Sequence, residues 1–265
     1  MAGIIIITIT MPMTMTILSP EVARHEITNT RKPFVPSCLG GGEARPDDAL
    51  TPAALLRLMA WLSPAFPTGA FAYSHGLEWA VEAGDVTNET YLLAWLCDVI
   101  ADGSGRTDTI LLRHAHRSAG NPGALTEVAN LACATSPCRE RQSESLDQGM
   151  AFLLAAAAWG TPATPERMPY PVAVGAVAGV HRIPEDAAAA AYLQATVTNL
   201  ISAAVRLVPL GQTAGLRVLA ALEPAILGVA AKTKDATLDD LGGCTFRSDL
   251  AAMRHETQYT RLFRS

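Results

Sequence analysis

The sequence predicts an all-α protein, and three observations carry that prediction. From residue 50 onward apolar residues recur at helical spacing. A capping residue followed by proline opens one segment after another. No run of period-2 alternation there suits a strand. We expect a single domain of about ten helices packed on one another, with no internal repeat.

In chain order, Thr51-Pro52 opens a helix over 53–62, and a second is expected over 69–83, ending at Gly84. Thr87 can cap a helix running to about residue 101, in which Leu92, Leu93, Leu96, Val99 and Ile100 share helical spacing. A short amphipathic helix follows over 108–118. Asn121-Pro122 and Ser136-Pro137 repeat the cap-plus-proline device, the second opening a long helix that closes on Ala155 to Ala158 and Trp159. Residues 171–180 are small and apolar. Pro184 starts a helix reaching 208, seeded by Ala187 to Ala191, and 211–232 forms another that Pro224 kinks or splits. A polar turn over 239–243 precedes the last segment.

Residues 1–49 read as an unstructured or weakly structured extension. Residues 4–18, IIIITITMPMTMTIL, lack the basic residues before and the cleavage site after that a signal peptide carries. Residues 31–48 have linker composition, with Pro33, Pro36, Gly40 to Gly42 and Pro46. An upstream translation start and a segment that adds to a partner would both produce this pattern.

Composition narrows the function. Hydrophobic residues make up 49% and charged residues 17%, against about 25% charged in an average domain. Such a surface predicts contact with other proteins or with itself. A net charge of −5 offers no basic face to a phosphate backbone, so nucleic acid is not an expected partner. Five scattered cysteines point to a reducing cytoplasm. The longest uninterrupted apolar stretches, 150–159 and 170–180, fall short of the roughly 20 residues that span a bilayer, so no membrane association is expected.

Chemistry-bearing motifs are sparse. There is no phosphate loop, no G-x-S-x-G elbow and no H-E-x-x-H pair, so neither catalytic nor metal-ligating residues are assigned. His114 and His116, two apart on a helix, point about 200° from each other and read as surface histidines flanked by Arg113 and Arg117. The competing class is a helical metal-binding or storage protein using His114, His116, Glu127 or His255. One polar stripe stands out: Asn199, Ser202 and Arg206 share a face of an otherwise apolar helix. It is either a solvated face or a polar passage at a subunit contact, with His181 nearby.

Residues 63–78 read S-P-A-F-P-T-G-A-F-A-Y-S-H-G-L-E, and here the chain resembles the urease accessory protein UreF family. Further blocks agree: Arg139-Glu140 with Ser145 and Gly149, Asp108, the R-L-V-P-L-G-Q run over 206–212, and the segment from Ser248 through Glu256 to Arg261–Ser265. The resemblance covers residues 50–265 in order, with Phe71 where a tyrosine is often seen and Gln142 where a basic residue is expected. It implies a non-enzymatic homodimer that binds UreD (UreH), recruits the GTPase UreG and serves nickel insertion into apo-urease. No cofactor is then held stably, since nickel and GTP belong to the partners. It also implies a mobile tail over about 244–265 that orders when UreD binds. The partner-binding candidates are Phe66, Pro67, Gly69, Phe71, Tyr73, Ser74 and Glu78 in the first block, and Arg247, Arg254, His255, Glu256, Arg261 and Arg264 in the tail. The aromatics Phe66, Phe71 and Tyr73 are open to two roles, partner anchors or packing between the first helices.

Overall fold

A computed structural model describes residues 49–265 apart from Glu166; the expectations for the N-terminal extension lie outside those residues. The described chain forms ten α-helices: α1 Pro52–Trp61, α2 Leu77–Glu82, α3 Glu89–Ala101, α4 Ser104–Arg117, α5 Pro122–Ala134, α6 Arg139–Ala156, α7 Tyr170–Val180, α8 Glu185–Leu207, α9 Gln212–Lys232 and α10 Phe246–His255. The all-α expectation holds.

The small apolar segment is the centre of the fold. Every residue of α7 from Pro171 to Ala178 is buried, and α4, α6, α8 and α5 pack around it. Gly175 is what lets α4 come so near: a Cβ there would strike the Leu112 carbonyl. On one side Trp61, Phe66, Phe152, Trp159 and Tyr170 build an aromatic cluster, with Trp61 and Phe152 edge-to-face at 6.4 Å. α8 and α9 are long and apolar enough to cross a membrane by length and composition alone. Here they pack against each other, and α9 also lies on α3. A count of uninterrupted apolar runs misses both, because isolated polar residues break the runs while the mean hydropathy stays at 1.3 and 1.6.

Several boundaries differ from expectation for local reasons. Asn88, not Thr87, caps α3, its Oδ1 accepting from Thr90 N at 3.0 Å and Tyr91 N at 3.1 Å. Ser136 does not open α6, because its hydroxyl donates back to the Ala132 carbonyl at the end of α5 (3.2 Å), and α6 begins at Arg139. α4 starts four residues early, at Ser104, which puts Asp108 inside the helix. Pro224 neither splits nor ends α9. Interior proline costs about 3 kcal/mol, so packing of α9 on α8 and α3 outweighs it.

The largest correction concerns residues 69–83, which form two short elements instead of one helix. A 3₁₀ turn over Ala70–Ala72 leads into extended Tyr73, and α2 starts only at Leu77. Between them His75 (φ 58°) and Gly76 (φ 77°) are left-handed, a conformation that ends helical propagation.

The two histidines differ from the surface reading, and the flanking Arg113 is buried. Arg113 is 1% exposed and ties three elements together. Its Nη1 meets Glu185 at 2.6 Å, its Nη2 meets Asp186 at 2.8 Å and the Ala230 carbonyl at 2.6 Å, and its Nε donates to Thr233 Oγ1 at 3.3 Å. His114 and His116 are half-buried, with Nε2 atoms against the carbonyls of Ala236 (3.0 Å) and Ile183 (2.8 Å). Both therefore hold loops.

Candidate docking face and the strap beneath it

Glu78 is the residue from which the site is built. It sits in the first turn of α2, 7% exposed, and its carboxylate accepts from the backbone N–H groups of Leu262 (2.6 Å) and Phe263 (2.9 Å). His255, fully buried at the end of α10, places Nε2 3.2 Å from Glu78 and Nδ1 2.7 Å from Glu140 on α6. Arg261 closes on the other Glu140 oxygen at 2.6 Å, and Glu256 accepts from the Glu140 backbone N–H at 3.0 Å. Residues 256–265 thus form a strap over α2 and α6.

The turn before α2 holds the strap's far end. Ser74 donates to the Ser265 carbonyl through both its N–H and its hydroxyl, each at 2.6 Å. Ser265 Oγ donates to Glu144 at 2.5 Å. Gly76 is required twice over here. It is left-handed, and any Cβ would meet the Ala251–Ala252 backbone of α10. Phe263 is buried under Arg206, whose guanidinium lies 4.3 Å from the ring centroid.

The polar stripe on α8 faces this same turn. Asn199 donates to the Ala70 carbonyl at 2.9 Å and Arg206 to the Phe71 carbonyl at 2.8 Å; Ser202 lines the cavity beside them. Two of the three residues therefore position the 70–72 turn.

Behind the strap lies a buried charged cluster that sequence reading did not find. Glu144, 1% exposed, accepts from Arg141, from His75 Nε2 at 2.6 Å and from Gln148 at 2.8 Å. Burial would raise its carboxyl, but Arg141 and His75 hold it down at about 2. Burial, with Arg141 nearby, lowers the His75 imidazole, so a neutral ring donates from Nε2. The signal for this cluster was Arg141, Glu144 and Gln148 at i, i+3 and i+7 of one helix face.

The candidates of the first block divide by exposure. Phe66 packs in the aromatic cluster, 5.6 Å from Phe152. Tyr73 is buried with its hydroxyl 3.2 Å from Asp147, and burial together with Asp147 pushes its pKa up to about 12. Ser74 and Glu78 are buried under the strap, and Gly69 makes a left-handed turn (φ 74°). Pro67 and Phe71 remain on the surface. Of the tail arginines, Arg247 pairs with Asp85 (2.7 Å) and Arg264 lies 3.7 Å from Asp147, while Arg254 is exposed.

One exposed apolar face lies on α10; α1 has another, with Leu55, Leu56 and Met59 exposed. Ala251, Ala252 and His255 face inward, whereas Phe246, Leu250 and Met253 face out, Phe246 at 80% exposed. On the strap, Tyr259 and Leu262 are exposed as well. None of these five residues is among the partner-binding candidates expected from sequence, although Phe246, Leu250 and Met253 stand at i, i+4 and i+7 of a helix whose other face is small.

Asp108 supplies a pH prediction. Burial raises its carboxyl from 3.8 to about 6 despite Arg141 and a hydrogen bond from Tyr192. A raised carboxyl stabilises the fold below its unfolded value and loses that contribution as pH rises through the folded value. Asp108→Asn removes the dependence, so urea midpoints should move in the variant's favour, relative to the parent chain, between pH 4.5 and 7.5. A midpoint difference that is the same at both pH values contradicts this.

Among the described residues no group of three or more His, Cys, Asp or Glu side chains is placed to hold a metal ion. His114, His116 and His255 are engaged with carbonyls and carboxylates as above. These features define an all-helical domain with a strapped C-terminal segment and an outward apolar helix face. The UreF family model matches residues 86–223. A urease accessory protein UreF of Rhodopseudomonas palustris (strain BisA53) is 55% identical over 223 residues, covering 80% of this chain and 94% of the relative. Proteins of the same name from Bradyrhizobium sp. (strain BTAi1) and Xanthobacter autotrophicus are 54% and 53% identical, covering 80% and 85% of this chain and 92% and 98% of theirs. The chain belongs to the UreF family.

Proposed function

We propose that the chain is a non-enzymatic scaffold for urease maturation in the cytoplasm. It dimerises, binds UreD (UreH) and with it recruits the GTPase UreG, so that nickel reaches apo-urease; nickel and GTP are carried by the partners. Family membership supports the maturation role, and one structural observation supports the docking role. The outer face of α10 presents Phe246, Leu250 and Met253 to solvent, and Tyr259 and Leu262 of the strap are exposed as well, apolar side chains that a docking partner would cover. UreD is the partner we assign to it, and the exposed Arg254 of the same helix is available to it. The strap is the part of the tail that UreD orders or re-seats, and Phe71 and Pro67 extend the contact on the first block.

The triple variant Phe246→Ser, Leu250→Ser, Met253→Ser tests this, because all three side chains point away from the core. Its circular dichroism and thermal midpoint should match the parent chain, while capture of UreD falls by roughly 100-fold or more, as loss of central apolar anchors does. Undiminished capture by the folded variant removes α10 from the interface.

A further inference from the structure

A cavity of about 660 Å³ lies between α1, α6 and α8, within the size range of small-molecule sites, roughly 300–1,000 Å³. Its mouth and walls are apolar, formed by Leu55, Leu58 and Met59 from α1, Leu62 just after it, and alanines of α8. Its floor is polar, with Asp108 from α4 and Arg141, Glu144 and Gln148 from α6.

That floor carries both signs of charge, and the two are unequally satisfied. Glu144 is saturated by four donors: Arg141, His75, Gln148 and Ser265. Asp108 has one hydrogen-bond donor among the described residues, the Tyr192 hydroxyl at 2.9 Å. Arg141 gives Nη1 to Glu144, and the rest of its guanidinium fork has no hydrogen-bond acceptor among the described residues. Asp108 and Arg141 are half-buried, so a carboxylate and a guanidinium with spare hydrogen-bonding capacity face the cavity and are open to a ligand's polar head.

The choice of ligand follows from charge. An anionic head would suit Arg141 but meet Asp108 and Glu144. A cationic head would suit Asp108 but meet Arg141. A neutral primary amide satisfies both, its carbonyl accepting from the guanidinium and its N–H₂ donating to the carboxylate. We propose that this cavity binds a small amphipathic molecule with a neutral amide head, the head on Asp108 and Arg141 and the apolar body along Leu55, Leu58 and Met59. The site is separate from the α10 face and does not depend on the docking reading.

The experiment titrates the full chain, followed by ligand-detected NMR, with three probes of one length: hexanamide, hexanoate and hexylammonium. Hexanamide should saturate with a dissociation constant on the order of 1 mM, as expected for eight heavy atoms, and the charged probes should bind at least about tenfold more weakly. Asp108→Asn should weaken hexanamide and strengthen hexanoate, each by roughly fivefold, because the carboxylate that receives the one and repels the other is gone. Met59→Trp, at the exposed rim, should block all three without disturbing the core. Absence of saturable binding, equal affinity for the three probes, or an Asp108→Asn variant with unchanged preference overturns the proposal.

Discussion

Glu78→Gln should release the strap over residues 256–265 while leaving the helical body intact. The carboxylate accepts two backbone N–H groups and faces His255 from a buried position. The amide keeps one acceptor oxygen and turns an N–H₂ toward a donor. Hydrogen bonds to a charged group contribute about 1.5–3 kcal/mol each, and a buried donor left unpaired adds a desolvation cost of about 1–3 kcal/mol. Loss of one bond with a partner orphaned therefore raises the population of the open strap by roughly 100-fold or more. Trypsin reads this directly, since Arg254, Arg261 and Arg264 lie on or beside the strap. Cleavage at these arginines should accelerate by at least tenfold in the variant, with far-ultraviolet circular dichroism unchanged. Equal cleavage rates in the two proteins would show that Glu78 does not hold the strap. Under the docking proposal the same variant also captures UreD more weakly, because the strap must then be ordered at the moment of binding.

The second large effect is expected at Arg113, far from the docking face. Arg113→Met keeps much of the side-chain volume and leaves Glu185, Asp186 and the Ala230 carbonyl without their shared donor. Removing one partner of a buried ion pair costs about 3–5 kcal/mol. Glu185 and Asp186 reach water, at 20% and 56% exposed, so we expect about 3 kcal/mol. That lowers Tm by roughly 6–12 °C in a chain of this size. Burial would raise the Glu185 carboxyl, yet hydrogen bonds from Arg117 and Arg113 hold it below its ordinary value. Its contribution is thus present above the ordinary carboxylate range and fades as pH falls through the lowered value. The variant should lose part of this acid-limb dependence. A Tm within 2 °C of the parent would show that Arg117 and water substitute for Arg113.

The sequence made the helical fold legible wherever the determinants were local. Thr51, Asn121 and Pro184 mark helix starts by side-chain chemistry that acts within three or four residues, and each stands where the structure begins a helix. The 69–83 segment misled because its turn is set from a distance: Gly76 is held against α10, about 175 residues away in sequence, and Ser74 bonds to Ser265. The burial of Arg113 was not legible, because its partners come from α8 and α9, which no spacing within α4 reveals.

The candidate site was legible in part. Two of the blocks that mark the family resemblance, 63–78 and 248–265, turn out to touch each other, so the partner-binding candidates in them include residues close in space. Their roles differ from residue to residue. Ser74, Glu78 and His255 are spent on the strap, whereas Leu250 and Met253, inside the second block but not among the partner-binding candidates, and Phe246, outside it, are exposed on α10. A one-dimensional reading finds where unusual residues cluster. Which of them face outward depends on packing that only the assembled helices define.

Reconstitution tests the central proposal most directly. Apo-urease is incubated with nickel, GTP, UreD and UreG, with and without the full chain, and urease activity is followed. Activation that requires the chain, and is lost with the folded Phe246→Ser, Leu250→Ser, Met253→Ser variant, is the predicted result. Activation that proceeds equally without the chain would contradict a scaffold role in urease maturation.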